Sequence, residues 1–250
     1  MATAAARQRP SVRTDDVFFL GMALVSADCR LDRFCSYVLS RRAVPGSPSE
    51  PARTQSTARS SRFGLFCSLS QIGLVTARRL ALHRRIGLLG FGFAVLMVVL
   101  GVLAGSDRLA RHVAEPGNEK IEDVRAFYAV PMGDMLIFAT FISLGYRQRS
   151  NPARHKRLML FATLALLDAG FDRWSIFDPY PLALVNLICF GPLVLLTMAY
   201  DWWSSGRVQR VTIWSTVFLL IAQQGRHFIG YTTGWQCLAA WVDMHMPVFH

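Results

Sequence analysis

Asp134 and Asp168 each interrupt a long hydrophobic run, Arg173 closes the second of those runs, and Gln223, Gln224, Arg226 and His227 gather late in a third. In a medium without water, an ionised side chain costs at least about 2.5–3.5 kcal/mol, so each of these groups needs a counter-charge, a hydrogen-bond partner or a proton. Brought together, Asp134, Asp168, Arg173, Gln223, Arg226 and His227 offer two chemistries. One is a binding site, or a proton-coupled path, for a small polar or anionic solute. The other is structural, with Asp–Arg pairs fixing the register of neighbouring helices.

The histidines point elsewhere. His83 stands in Leu82-His83-Arg84-Arg85-Ile86 and His155 in Arg154-His155-Lys156-Arg157-Leu158, two similar strings that each open an apolar run. The expected role of His83, Arg84, Arg85, His155, Lys156 and Arg157 is to anchor helix starts at lipid headgroups. A ligand or lipid-phosphate role is the alternative. Haem b would need two axial ligands at matched depth, whereas His83 and His155 fall at one rim and His227 near the other. Haem b is therefore a second reading, and no other cofactor is expected. His112, His245 and His250 show no metal-ligand spacing, and the five cysteines form no C-x-x-C pair. No phosphate-binding glycine motif, nucleophile elbow or zinc motif is present, which points away from an enzyme. Gly87, Gly90 and Gly92 read as a small-residue packing face.

The elements that must position these residues are membrane-spanning helices. With 52% hydrophobic and 17% charged residues, the chain is too apolar for an ordinary soluble domain. Ile86 to Ala104 carries no charge, Phe127 to Tyr146 only Asp134, and Pro181 to Tyr200 none; each is long enough to cross a hydrocarbon core about 30 Å thick. Phe63 to Ala77, Leu158 to Trp174 and Val211 to Gly230 are weaker candidates, and Val17 to Ala27 is shorter still.

A formal charge of +11 and a pI near 10.2 would suggest nucleic acid in a soluble protein. The placement of the charges argues otherwise. Arg78, Arg79, Arg84 and Arg85 fill one connection, and Arg147, Arg149, Arg154, Lys156 and Arg157 fill another, with no acid in either. The connection from Asp107 to Arg125 mixes five acids with four bases. This is the positive-inside pattern. It places the basic connections and the amino terminus in the cytoplasm and makes the bilayer the partner, rather than nucleic acid.

Depth then groups the polar residues. Asp134 lies early in an outside-to-inside helix and Asp168 late in an inside-to-outside one, so both fall in the outer half of the bilayer. Arg173, Gln223, Arg226 and His227 come near the same side. Asp134 and Asp168 are expected on facing sides of their helices with Arg226 or Arg173 within pairing reach, Arg226 being favoured because it sits deeper.

Between Asp28 and Arg62 the composition changes abruptly to Arg, Ser, Pro and Thr with no apolar period. Three readings compete: a polar extramembrane loop, a loop preceded by a signal peptide cut after Val25-Ser26-Ala27, and a stretch translated out of frame. Codons for Asp28 to Val38 can be chosen so that reading one nucleotide later gives an apolar string, and codons for Thr54 to Gly64 so that reading two nucleotides later gives one ending in Trp. Three single-nucleotide insertions would produce both shifts and restore the frame near Gln71. The product would be impaired, with the later helices still able to insert.

From Ile72 to about Trp241 the chain resembles an uncharacterised family of bacterial multi-pass membrane proteins of about seven helices. The resemblance rests on Leu82-His83-Arg84-Arg85-Ile86-Gly87, Gly133-Asp134-Met135 and Pro152-Ala153-Arg154-His155-Lys156-Arg157-Leu158-Met159. It implies a preceding helix with an H-G motif, which this sequence lacks and which the frame shift would account for. The expected architecture is an all-α polytopic bundle of six to seven helices in a bacterial inner membrane. Residues 1–16 form a cytoplasmic tail, 17–71 an irregular or damaged region, 72–241 the bundle and 242–250 a carboxyl-terminal tail. The ligand stays unidentified at this level.

Overall fold

A computed structural model of the chain describes residues 80–114, 120–167 and 182–245, together with Phe18 and Met22. The stretch 28–62, the apolar segment 63–77, Asp168 and Arg173 lie outside the described residues. Among the described residues all regular structure is helical. The helices are α1 (Leu80–Ala114), α2 (Ile121–Phe127), α3 (Ala129–Arg147), α4 (Pro152–Ala165), α5 (Leu182–Ser205), α6 (Arg210–Gly230) and α7 (Thr233–His245). Among the described residues two runs are long and apolar enough to cross a membrane: Ala81–Ala114 of α1, and α2 with α3 taken together from Ile121 to Arg147.

Local chemistry sets the helix ends. Pro131 has no N–H to offer the Phe127 carbonyl, and the α2–α3 run breaks at Tyr128 as a result. Asn151 caps α4, its side chain accepting from Arg154 N–H at 3.3 Å, with Pro152 in the first turn where a missing donor costs nothing. α5 stops at Gly206, whose φ of 72° is left-handed and whose N–H reaches the Trp202 carbonyl at 2.9 Å. Thr232 opens α7, its hydroxyl accepting from Trp235 N–H at 3.4 Å.

The helices exceed the apolar runs read from the sequence. α1 continues through the expected connection to Ala114, with Arg111 paired to Asp107 one turn back at 2.6 Å and no breaker before Pro116. α2 begins at Ile121 within the same expected connection. α7 extends to His245, where a tail was expected from residue 242.

By contact density the chain divides into two units, Met1–Phe93 with Leu167–Thr212 and Ala94–Leu166 with Ile213–His250. In the first, Phe18 stacks on Tyr200 of α5 with ring centroids 3.7 Å apart. Fully buried Asp201 joins α5 to the start of α6. Its Oδ2 accepts from Gln209 N–H at 3.2 Å and from the Thr212 hydroxyl at 2.5 Å.

In the second unit α3 and α4 form a tightly packed antiparallel hairpin. Phe141 of α3 is buried against Phe161 of α4, and its other neighbour is Phe218 of α6 in an edge-on contact at 5.5 Å. Gly101 and Gly105 form a G-x-x-x-G pair on α1, and a Cβ on either would run into Met135 or Met132 of α3. Small residues of this kind let helices approach closely where no aqueous hydrophobic effect drives them together. In this unit the packing face of α1 is Gly101 and Gly105. Of the expected Gly87-Gly90-Gly92 face, Gly87 and Gly90 are half-buried and Gly92 is exposed, and a Cβ at Gly90 or Gly92 meets nothing within 4 Å.

α7 folds back over α2. Trp235 Nε1 donates to the Arg125 carbonyl at 3.0 Å, and Gln236 Nε2 donates to Gly230 O at 2.8 Å and Glu122 O at 3.0 Å. Beneath them lies a small core of Leu109, Val124, Tyr128 and Ala239. The Tyr128 and Ser106 hydroxyls meet inside it at 2.8 Å.

Candidate polar site on the inner face of α6

α6 inverts the arrangement of a water-soluble amphipathic helix. Its buried positions are Thr212, Ser215, Thr216, Leu219, Gln223, Arg226 and Gly230, spaced three, four and seven residues apart as one helical face requires. Five of these seven are polar or charged. The opposite face is apolar and open, with Trp214 72%, Ile221 68% and Phe228 77% exposed. Polar inside and apolar outside is the pattern imposed by lipid.

Asp134 and Arg226 meet within the second unit. Asp134 lies in the second turn of α3 and Arg226 about one turn from the end of antiparallel α6, which puts them at one level. Arg226 Nη1 donates to Asp134 Oδ1, and both side chains are buried. The same Nη1 lies 3.4 Å from the Val130 carbonyl, and Nε donates to the Gln223 carbonyl at 3.2 Å. Gly133 leaves room for the guanidinium stem: a Cβ there would sit 3.0 Å from Arg226 Cδ and 3.2 Å from its Cβ. Gly133-Asp134 thus works as a unit, the glycine admitting the arginine that the aspartate binds. The two charges cancel.

The rest of the face is not fully used by the protein itself. Gln223 is 1% exposed, and neither atom of its side-chain amide has a hydrogen-bond partner. The Thr216 hydroxyl and His227 Nε2 are buried and partnerless as well. A buried amide without partners costs the fold about 1–3 kcal/mol, so its retention needs an explanation.

Of the six residues read as a possible ligand site, Asp134, Gln223, Arg226 and His227 fall on α3 and the last two turns of α6. Asp168 and Arg173 lie outside the described residues. The basic strings divide. Arg84 and Arg85 are exposed, as headgroup anchors would be, and His83 and Lys156 are half-buried. His155 Nδ1 bonds the Gly145 carbonyl at 2.8 Å, so this ring bridges the α3–α4 hairpin. Arg157 departs from the anchoring expectation: it is buried, and its Nη1 donates to the Ala153 carbonyl one turn back. It adjoins buried Leu158 and stands about one turn before buried Leu160 and Phe161, on the buried side of α4.

Sequence reading overlooked Asp201 and the hydroxyls at 212, 215 and 216. Their signal was present: Thr212, Ser215, Thr216, Gln223 and Arg226 share one helical face, a polar stripe in a helix otherwise apolar. Among the described residues no group of three or more His, Cys, Asp or Glu side chains is placed to hold a metal ion. No family model, curated protein or solved structure matches the chain.

Proposed function

We propose that this chain is a multi-pass integral membrane protein of a bacterial inner membrane, and that the inner face of α6 binds or passes a small polar solute near the outer side of the bilayer. One observation carries the reading: α6 buries Thr216, Gln223 and Arg226 while exposing Trp214, Ile221 and Phe228. In water that arrangement would forfeit apolar burial on one face and pay for polar burial on the other. α1 supports the same reading, since only 6% of its most apolar stretch is buried. Helices of 24 and 21 residues in α5 and α6 have the length to cross, at about 1.5 Å per residue.

The polar atoms of Gln223 and His227 support a solute role over a purely structural one. A set of side chains kept only for register satisfies its own hydrogen bonds, and this set does not. The basic connections face the cytoplasm in this reading, with the Asp107 to Arg125 segment outside.

The test is labelling of single cysteines in intact cells by an impermeant thiol reagent. Asn118→Cys is expected to react and Ser150→Cys to react only after permeabilisation. The reverse pattern would overturn the orientation, and equal labelling of both without permeabilisation would overturn the membrane reading itself.

A further inference from the structure

We infer that the solute is neutral and carries a hydrogen-bond donor and acceptor side by side, as a carboxamide does, and that the Gln223 side chain is its recognition group. The inference rests on the solute-binding reading above and names the class of solute.

Charge comes first. Asp134 and Arg226 are paired, so among the described residues the inner face of α6 beside Gln223 already holds one negative and one positive group. A charged solute arriving there would be a third, uncompensated ion in a buried place, which is the costly case. An anion would compete with Asp134 for the charge of Arg226, and a cation would compete with Arg226 for that of Asp134. A neutral solute does neither.

Hydrogen-bond chemistry narrows the class further. Among the described residues, both ends of one amide at this level lack a partner, Gln223 Oε1 and Nε2, which accept and donate about 2 Å apart. Their natural complement presents a donor and an acceptor at the same separation, and a second amide pairs with both at once. His227 Nε2 follows one helical turn later on α6, about 6 Å along the axis, and adds a third polar contact for a solute that extends toward the Gly230 end. The Thr216 hydroxyl lies two turns away in the other direction, too far for the same small molecule, and continues the polar face inward.

Three probes of nearly one shape separate the possibilities: acetamide, acetate and acetamidinium. They differ in charge and in whether their polar atoms donate, accept or do both. Thermal unfolding of the full chain in detergent or nanodiscs is followed while each is titrated over the millimolar range. Acetamide is expected to raise the midpoint by about 2–4 °C, and the two ions to leave it unchanged. Gln223→Met removes both amide ends at nearly constant volume. It should abolish the acetamide shift and, because it removes an unsatisfied buried amide, leave the unliganded midpoint equal or higher. His227→Phe provides a second variant and should weaken the shift without removing it.

Stabilisation by acetate or acetamidinium in place of acetamide would overturn this inference and leave the solute-binding reading standing. An acetamide shift that survives Gln223→Met would overturn the assignment to Gln223. No shift with any of the three would overturn both.

Discussion

Asp134→Ala is expected to destabilise the protein by about 3–5 kcal/mol, the cost of leaving one partner of a buried ion pair behind. Arg226 is the reason the effect is large. A guanidinium does not give up its proton, so with Asp134 removed it remains charged on the buried face of α6. Arg226→Met should cost less, because the carboxyl of Asp134 escapes its predicament by taking a proton. The double variant Asp134→Leu with Arg226→Met should regain most of what Asp134→Ala loses, since replacing a whole buried pair by apolar side chains is close to neutral. Thermal or denaturant unfolding of the four proteins in one detergent provides the comparison. Losses that simply add, with the double variant worse than either single one, would show that the two side chains do not act as a pair.

The second large effect is expected at Gly230, where α6 crosses the end of α2. A Cβ on Gly230 would stand 2.5 Å from the Ala126 carbonyl oxygen and 3.0 Å from its Cα. Both are backbone atoms, so nothing nearby can swing aside, and the helices themselves would have to separate. Overpacking of this kind costs about 1–3 kcal/mol. Glycine to alanine inside a helix ordinarily has the opposite sign, stabilising by roughly 0.5–1 kcal/mol. Gly230→Ala should therefore lower stability while Gly90→Ala and Gly92→Ala, where a Cβ meets open space, should raise it slightly. Equal effects at the three glycines would remove the close crossing from the account.

These two sites differ in how far the sequence revealed them. The Asp134–Arg226 pair was legible, because a lone acid in an apolar run and an arginine late in another share a depth once the helices are placed antiparallel. The energetic demand for pairing called for a cation near Asp134 and favoured Arg226 over Arg173. Gly230 gave no such sign: a glycine at a helix end reads as a terminator, and only packing against Ala126 shows the close approach. The same limit applies to the α1 glycines. Gly87, Gly90 and Gly92 were read as a packing face by composition, while Gly101 and Gly105, which receive Met135 and Met132, were not singled out, since which side of a uniformly apolar helix meets a neighbour is set by the neighbour.

Helix lengths were similarly half-legible. Apolar runs marked the middles of α1 and α5, while the ends were carried by polar residues and turn chemistry. The Arg111–Asp107 pair prolongs α1, Pro131 interrupts the run from Ile121 to Arg147, and Gly206 stops α5. α7 escaped notice because its apolar residues cover α2 along only three turns, too few to stand out by hydropathy. Asp201 escaped for another reason. An acid beside two tryptophans reads as an interfacial residue, and only the turn that brings Gln209 and Thr212 back to it makes it a buried bracket.

The inverted amphipathicity of α6 is the claim on which the rest depends, and site-directed spin labelling of the protein in lipid vesicles tests it most directly. Single nitroxides placed along α6 are compared for collision with oxygen, which concentrates in lipid, and with a water-soluble nickel chelate. At Trp214, Ile221 and Phe228 oxygen access should be high and nickel access low, while at Thr216, Leu219 and Gln223 both should be low. High nickel access at Trp214, Ile221 and Phe228 would mean that this face meets water, and would contradict the account.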